Sequence, residues 1–148
     1  MNLGAETEQV EHKKSTSELK EGMQSIAAIL NKHSAGELYF GVRDNGEVIG
    51  QQTGARTLRD VSQAITTSIE PRVYATVEKL QADDDKTYIK VTFSGNERPY
   101  SCRGTYRIRV ADEDLAMSTA QLESLMLERL NRREPWDARA SLRPISNV

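Results

Sequence analysis

Two apolar stripes with helical spacing alternate with segments of period-two hydrophobicity, and that alternation restricts the possible folds more than any single residue does. Leu19, Met23, Ile26, Ala27 and Leu30 form the first stripe, and Leu58, Val61, Ile65 and Ile69 the second. Ser15 with Glu18 predicts a capping box before the first helix, and Thr57 with Asp60 predicts a cap for the second. Ala35-Gly36 ends the first helix near His33, and Pro71 ends the second. Gln9–Lys13, Glu37–Val42, Val73–Leu80, Thr87–Phe93 and Thr105–Val110 read as strands. Asp44-Asn45-Gly46 predicts a tight hairpin turn, with Val48–Gly50 as the return strand. Ser118 and Gln121 cap a last helix whose apolar side is Leu122, Leu125, Met126 and Leu130. The order β-α-β-β-α-β-β-β-α predicts an α+β fold in which helices cover one face of a small mixed or antiparallel sheet.

A chain of 148 residues suits a single domain, expected over 1–131, with 132–148 as a tail or linker stub. That tail carries Arg132, Arg133, Arg139 and Arg143 beside Trp136. A formal net charge of −2 argues against a uniformly basic coat, so a polyanion would have to meet one local face. The single cysteine, Cys102, has no intramolecular partner, which points to a reducing cytoplasmic compartment and a plain packed thiol. No basic leader followed by an apolar run is present, nor any run of membrane-spanning length. A glycine-rich phosphate loop ending in Lys-Ser or Lys-Thr is missing, as are a serine-hydrolase elbow and a spaced Cys/His set. Nucleotide hydrolysis, serine hydrolysis and zinc binding are disfavoured accordingly.

The chemistry-bearing residues lie near the start and around the hairpin. In a strand over Gln9–Lys13, Glu11 and Lys13 share one face. Glu6 precedes Glu11 by five positions, which places the two on opposite faces of an unbroken strand and about 140° apart on a helix. They meet only where the chain bends between Glu6 and Gln9. With Asp44 they would form a three-carboxylate cluster, and clustered carboxylates repel unless a cation separates them, Mg²⁺ or Mn²⁺ being suitably hard. Lys13 would hold a scissile phosphate or polarise water. Each of these charges also suits an ordinary surface, and Asp44 beside Asn-Gly is normal turn chemistry. Along Thr105–Val110, Tyr106, Ile108 and Val110 are expected on the buried face and Arg107 and Arg109 on the outer one. Lys13, Lys14, Arg103, Arg107 and Arg109, with Tyr100 interleaved, then form a candidate nucleic-acid surface. His12 is expected to pack on or cap the sheet, and His33 to sit at a helix C-terminus where the dipole favours it.

Read in order, Glu6-x4-Glu11-x-Lys13, Asn31, Gly36-x-Leu38-x-x-Gly41-Val42-x-Asp44-x-Gly46, Ile69-x-Pro71, Arg98-Pro99-Tyr100 and the Tyr106 to Arg109 run resemble the Schlafen AlbA-type domain over roughly residues 6 to 127. Two positions depart from that pattern: Ala35-Gly36 stands where Gly-Gly is usual, and His12 where an aromatic or aliphatic residue is common. The resemblance implies nucleic-acid binding, with RNA or single strands favoured. In animal members with a similar core it also implies metal-dependent RNA cleavage by three acidic residues, matched here by Glu6, Glu11 and Asp44. It equally admits a non-catalytic DNA- or RNA-binding transcription regulator, or a dimerisation module that serves further domains.

Overall fold

The structure, a computed structural model, describes residues 1–133. The expected tail therefore falls outside the described residues from 134 onward, Trp136 and the later arginines included. The fold is α+β. Strand β1 (Val10–Lys13) leads through a single 3-10 turn (Thr16–Glu18) into helix α1 (Leu19–Leu30) and strand β2 (Ala35–Phe40). Helix α2 (Ala55–Ser68) follows, then β3 (Ile69–Glu70), β4 (Tyr74–Gln81), β5 (Thr87–Ser94), β6 (Ser101–Cys102), β7 (Thr105–Val110), β8 (Glu113–Ala116) and helix α3 (Thr119–Arg133).

The strands make two four-stranded sheets, β1-β2-β5-β4 and β3-β6-β7-β8, where one sheet was expected. Strand β1 runs parallel to β2, with Glu11 opposite Leu38 and Lys13 opposite Phe40, and all other pairs are antiparallel. The two-residue strands β3 and β6 are too short to leave a periodic signal, and β8 begins inside the acidic run Asp112-Glu113-Asp114. Val48–Gly50 forms no full return strand: Val48 makes only an isolated bridge to Val42. Gly41 and Gly50 both adopt positive φ, at 94° and 79°, so the ladder breaks on either side of the turn.

Helix α1 is driven by burial. Met23, Ile26, Ile29 and Leu30 are fully enclosed against Leu38, Phe40, Ile89, Val91 and Phe93 of the first sheet, with Val61, Ile65 and Ile69 closing the core from the α2 side. Gly36 is required where β2 meets this layer: a Cβ there would lie 2.7 Å from the Phe93 ring and 2.9 Å from the Gln9 carbonyl oxygen. The far end of α1 is fastened to the second sheet by Asn31, whose amide donates to the Tyr100 carbonyl at 2.9 Å and the Arg107 carbonyl at 2.7 Å and accepts the Tyr100 N–H. Ser118 and Gln121 do form a reciprocal capping box at α3: Ser118 N–H donates to Gln121 Oε1 at 3.0 Å, and Gln121 N–H to Ser118 Oγ at 3.1 Å. Helix α2 instead begins one turn earlier than its expected cap, with Gly54 at the N-cap and Thr57 Oγ1 accepting the Gly54 N–H.

Candidate functional site

The bend between Glu6 and Glu11 exists. Thr7 and Val10 exchange backbone hydrogen bonds across Glu8-Gln9, N–H to carbonyl at 3.0 and 3.4 Å, which folds the chain back on the start of β1. Glu6 consequently lies beside the strand that follows it, and its Oε2 accepts the His12 backbone N–H at 3.0 Å. Asp44 is brought alongside by the hairpin, where its carbonyl accepts the Glu6 N–H at 3.3 Å. Glu6, Glu11, Lys13 and Asp44 all line one open pocket of about 440 Å³, together with Lys14, Glu18, Asp112 and Glu113.

The electrostatics of this pocket are dominated by carboxylates. Partial burial of Glu6, then its hydrogen-bonding contact with Glu11 and the negative charges of Glu11 and Asp44, push its pKa up to about 8. Near neutral pH Glu6 thus holds its proton, a condition suited to a general acid. Glu11 is stabilised differently. Its Oε2 pairs with Lys13 Nζ at 3.0 Å and its Oε1 with Arg109 Nη1 at 2.7 Å, while Glu11 as a residue is only 5% exposed. The Arg109 contact is an ion pair whose N–H is not aimed at the oxygen; the aligned hydrogen bond from Nη1 goes to Asp114 Oδ1 at 2.8 Å. Lys13 is desolvated, yet the Glu11 charge more than compensates and its pKa is raised, so it stays cationic.

Two residues assigned to a nucleic-acid surface are instead interior. Arg109 is fully buried, and its Nη2 donates to the carbonyls of Thr7 at 3.0 Å and Val10 at 3.3 Å. Strand β7 has the opposite phase from the one predicted: Arg109 points in, while Val110 is 43% exposed. The reason is that β7 packs against α1 and the β1 edge, where Glu11 and Asp114 supply the counter-charges that make a buried guanidinium tolerable. Tyr100 is also fully buried, its hydroxyl accepting the Glu97 N–H at 3.0 Å within the core under α1. Neither side chain can touch a polyanion without unfolding. Lys14 and Arg103 are exposed, and Arg107 is half-buried. Cys102 is buried, which pushes its thiol up and away from reactivity. His12 packs edge-on against Tyr39 and bonds the Arg43 carbonyl, and His33 pairs with Glu8. Sequence reasoning missed Arg109 and Asp114 as the supports of Glu11, because buried polar residues carry no periodic signal of their own.

The three carboxylates share the pocket without forming a preformed metal centre. Among the described residues no group of three or more His, Cys, Asp or Glu side chains is disposed to hold an ion, and both oxygens of Glu11 already face cations. As they stand, these residues do not fit a three-carboxylate Mg²⁺ or Mn²⁺ site.

A family model described as Schlafen, AlbA_2 matches residues 6–118, the span that contains every element of this pocket. The chain belongs to the Schlafen AlbA_2 family. Solved structures that resemble this AlbA_2 domain include the crystal structure of the DIP2311 protein from Corynebacterium diphtheriae, with a TM-score of 0.60 at 15% identity. The alignment covers 80% of this chain and 23% of that one, so the likeness concerns the fold, and the present chain corresponds to less than a quarter of that protein. No curated protein matches the sequence. No helix among the described residues of this AlbA_2 domain is long and apolar enough to cross a membrane.

Proposed function

We propose that this AlbA_2 domain binds nucleic acid, RNA or single strands in preference to duplex DNA, with Lys14, Arg103 and Arg107 contacting phosphates and the Glu6–Glu11 pocket facing the bound strand. The observation that supports the reading most directly is the open pocket that brings Lys13 and Lys14 beside Glu6, Glu11 and Asp44 within the span matched by the family model. The pocket sets six carboxyl groups, Glu6 protonated among them, against two lysines and so disfavours a bare phosphate, which puts backbone contacts on its rim and flank rather than deep inside it. Single strands are favoured because Lys14 and Arg103 lie on turns and Arg107 on a strand, not along a helix that could enter a groove. The arginines of α3 are occupied: Arg129 binds the Glu97 and Pro99 carbonyls and Arg132 the Arg98 carbonyl.

Fluorescence anisotropy with labelled single-stranded RNA, single-stranded DNA and duplex DNA, each at several salt concentrations, tests the reading. Affinity should fall steeply as salt rises, and Lys14→Gln, Arg103→Gln and Arg107→Gln should each reduce the log–log slope by about 1. Salt-independent binding, or none, overturns it.

Cleavage of structured RNA is the finer reading, with Glu6 as proton donor and Lys13 polarising the attacking water. Glu6→Gln is the appropriate variant, since it keeps an acceptor for the His12 N–H. Glu11→Ala would strand Arg109 and confuse lost chemistry with lost folding. Equal cleavage by the wild type and Glu6→Gln, with Mn²⁺ present, removes the catalytic assignment. A dimerisation module is the competing reading, favoured by one observation: Met126, Leu127 and Leu130 on α3 are 39%, 62% and 52% exposed. Light scattering that shows a dimer without RNA affinity would decide for it.

A further inference from the structure

We infer that Arg109 and Glu8 are positioning residues that grip the Thr7–Val10 turn from its two sides and so hold Glu6 against Glu11. The inference rests on reading the acidic pocket as the working surface, and it identifies what keeps that surface in shape.

The turn itself is poorly suited to stand alone, because Thr7-Glu8-Gln9-Val10 contains no glycine, proline, asparagine or aspartate to favour it. It is held from outside its own segment. On the inner side, one guanidinium takes both carbonyls that close the turn, Thr7 O at 3.0 Å and Val10 O at 3.3 Å, through Nη2, while Nη1 faces Glu11 Oε1 at 2.7 Å. The same group therefore sets the position of Glu11 and of the loop that carries Glu6. Arg109 is aimed in turn by Asp114, whose Oδ1 accepts from Nη1 at 2.8 Å and whose Oδ2 accepts from Ser25 Oγ at 2.6 Å. On the outer side, Glu8 is tied to two other elements. Its carboxylate meets Lys32 Nζ at 2.9 Å and His33 Nε2 at 2.8 Å past the end of α1, and accepts the Ala111 N–H at 3.2 Å from the β7–β8 turn. Ala111 adopts a left-handed φ of 56° there, a conformation that favours glycine. Lysine cannot replace Arg109 in this task, since a single ammonium lacks the planar fork needed to reach Glu11 and both carbonyls together.

The geometry supplies its own reporter, because the His12 amide donates to Glu6 Oε2 and so lies against that side chain in the ligand-free protein. In wild-type protein an NOE should join the His12 amide proton to the Glu6 side-chain methylene protons, and in Arg109→Lys and in Glu8→Ala it should be lost as Glu6 swings into water. Unchanged amide shifts at Val91 and Phe93 in the core show that a variant is folded. An NOE of wild-type strength in a folded variant overturns the assignment for that residue. Should Arg109→Lys fail to fold, Glu8→Ala decides, its side chain being on the surface. No nucleic acid enters the measurement, so its failure and the failure of the binding reading remain distinct.

Discussion

The core beneath α1 and α2 and the seam between β1 and β7 both bury side chains, but they are built in opposite ways. Phe93, Ile89, Leu38 and Ile26 fill the first with apolar atoms and need no particular partner, only volume. The seam contains Glu11, Arg109, Asp114 and Lys13, each of which is tolerable only because the others are there. The difference teaches that the core tolerates change by degrees whereas the seam behaves as a unit, and the pocket carboxylates inherit that all-or-none character.

The sharpest way to break the comparison is to delete one charge. Arg109→Leu should destabilise the domain by about 3–5 kcal/mol, because Glu11 is left buried with one cation fewer. Phe93→Ala in the core should cost a similar amount, about 3–5 kcal/mol, through the cavity it opens. Chemical denaturation of the two single variants measures both. Replacing Glu11 and Arg109 together with Leu and Met should then cost less than the two single losses summed, whereas adding a second core truncation to Phe93→Ala deepens the loss. If the double seam variant is as unstable as the sum of its parts, the seam is not a unit.

A smaller effect is expected where the two regions are joined. Asn31→Ala leaves the Arg107 and Tyr100 carbonyls and the Tyr100 N–H without their partner, at an expected cost of about 1–3 kcal/mol. Hydrogen exchange should show the loss at β6 and β7 before it reaches β5.

A further effect is a pH dependence confined to the pocket. The Glu6 pKa is raised in the folded state, so the folded state binds the extra proton and Glu6 contributes stability that is fully present below pH 4.5. That contribution is lost as pH rises from 4.5 through about 8. Thermal unfolding of the wild type should therefore show a downward slope over that window which Glu6→Gln lacks. Equal slopes would mean that Glu6 is solvated and the carboxyl pair is not formed.

Much of this molecule follows from patterns along the chain. The stripes Leu19 to Leu30 and Leu58 to Ile69 become the two core helices, since an apolar face with a 3.6-residue period has few other places to go. The reciprocal Ser118–Gln121 cap is equally local, as both partners lie within one turn. The need for a bend before Glu11 could also be stated from spacing alone, and the Thr7–Val10 turn provides it. The phase of β7 could not. Its alternation of Tyr106, Ile108 and Val110 with Arg107 and Arg109 suggests that the arginines face water, yet Arg109 is the most enclosed residue of the strand. Which face is inside depended on charges from β1 and β8 that are distant in sequence and adjacent only after the two sheets meet. Apolar side chains seek any dry environment, so their fate is written in local periodicity; a buried ion needs specific partners at fixed distances, and no reading of neighbours along the chain supplies those.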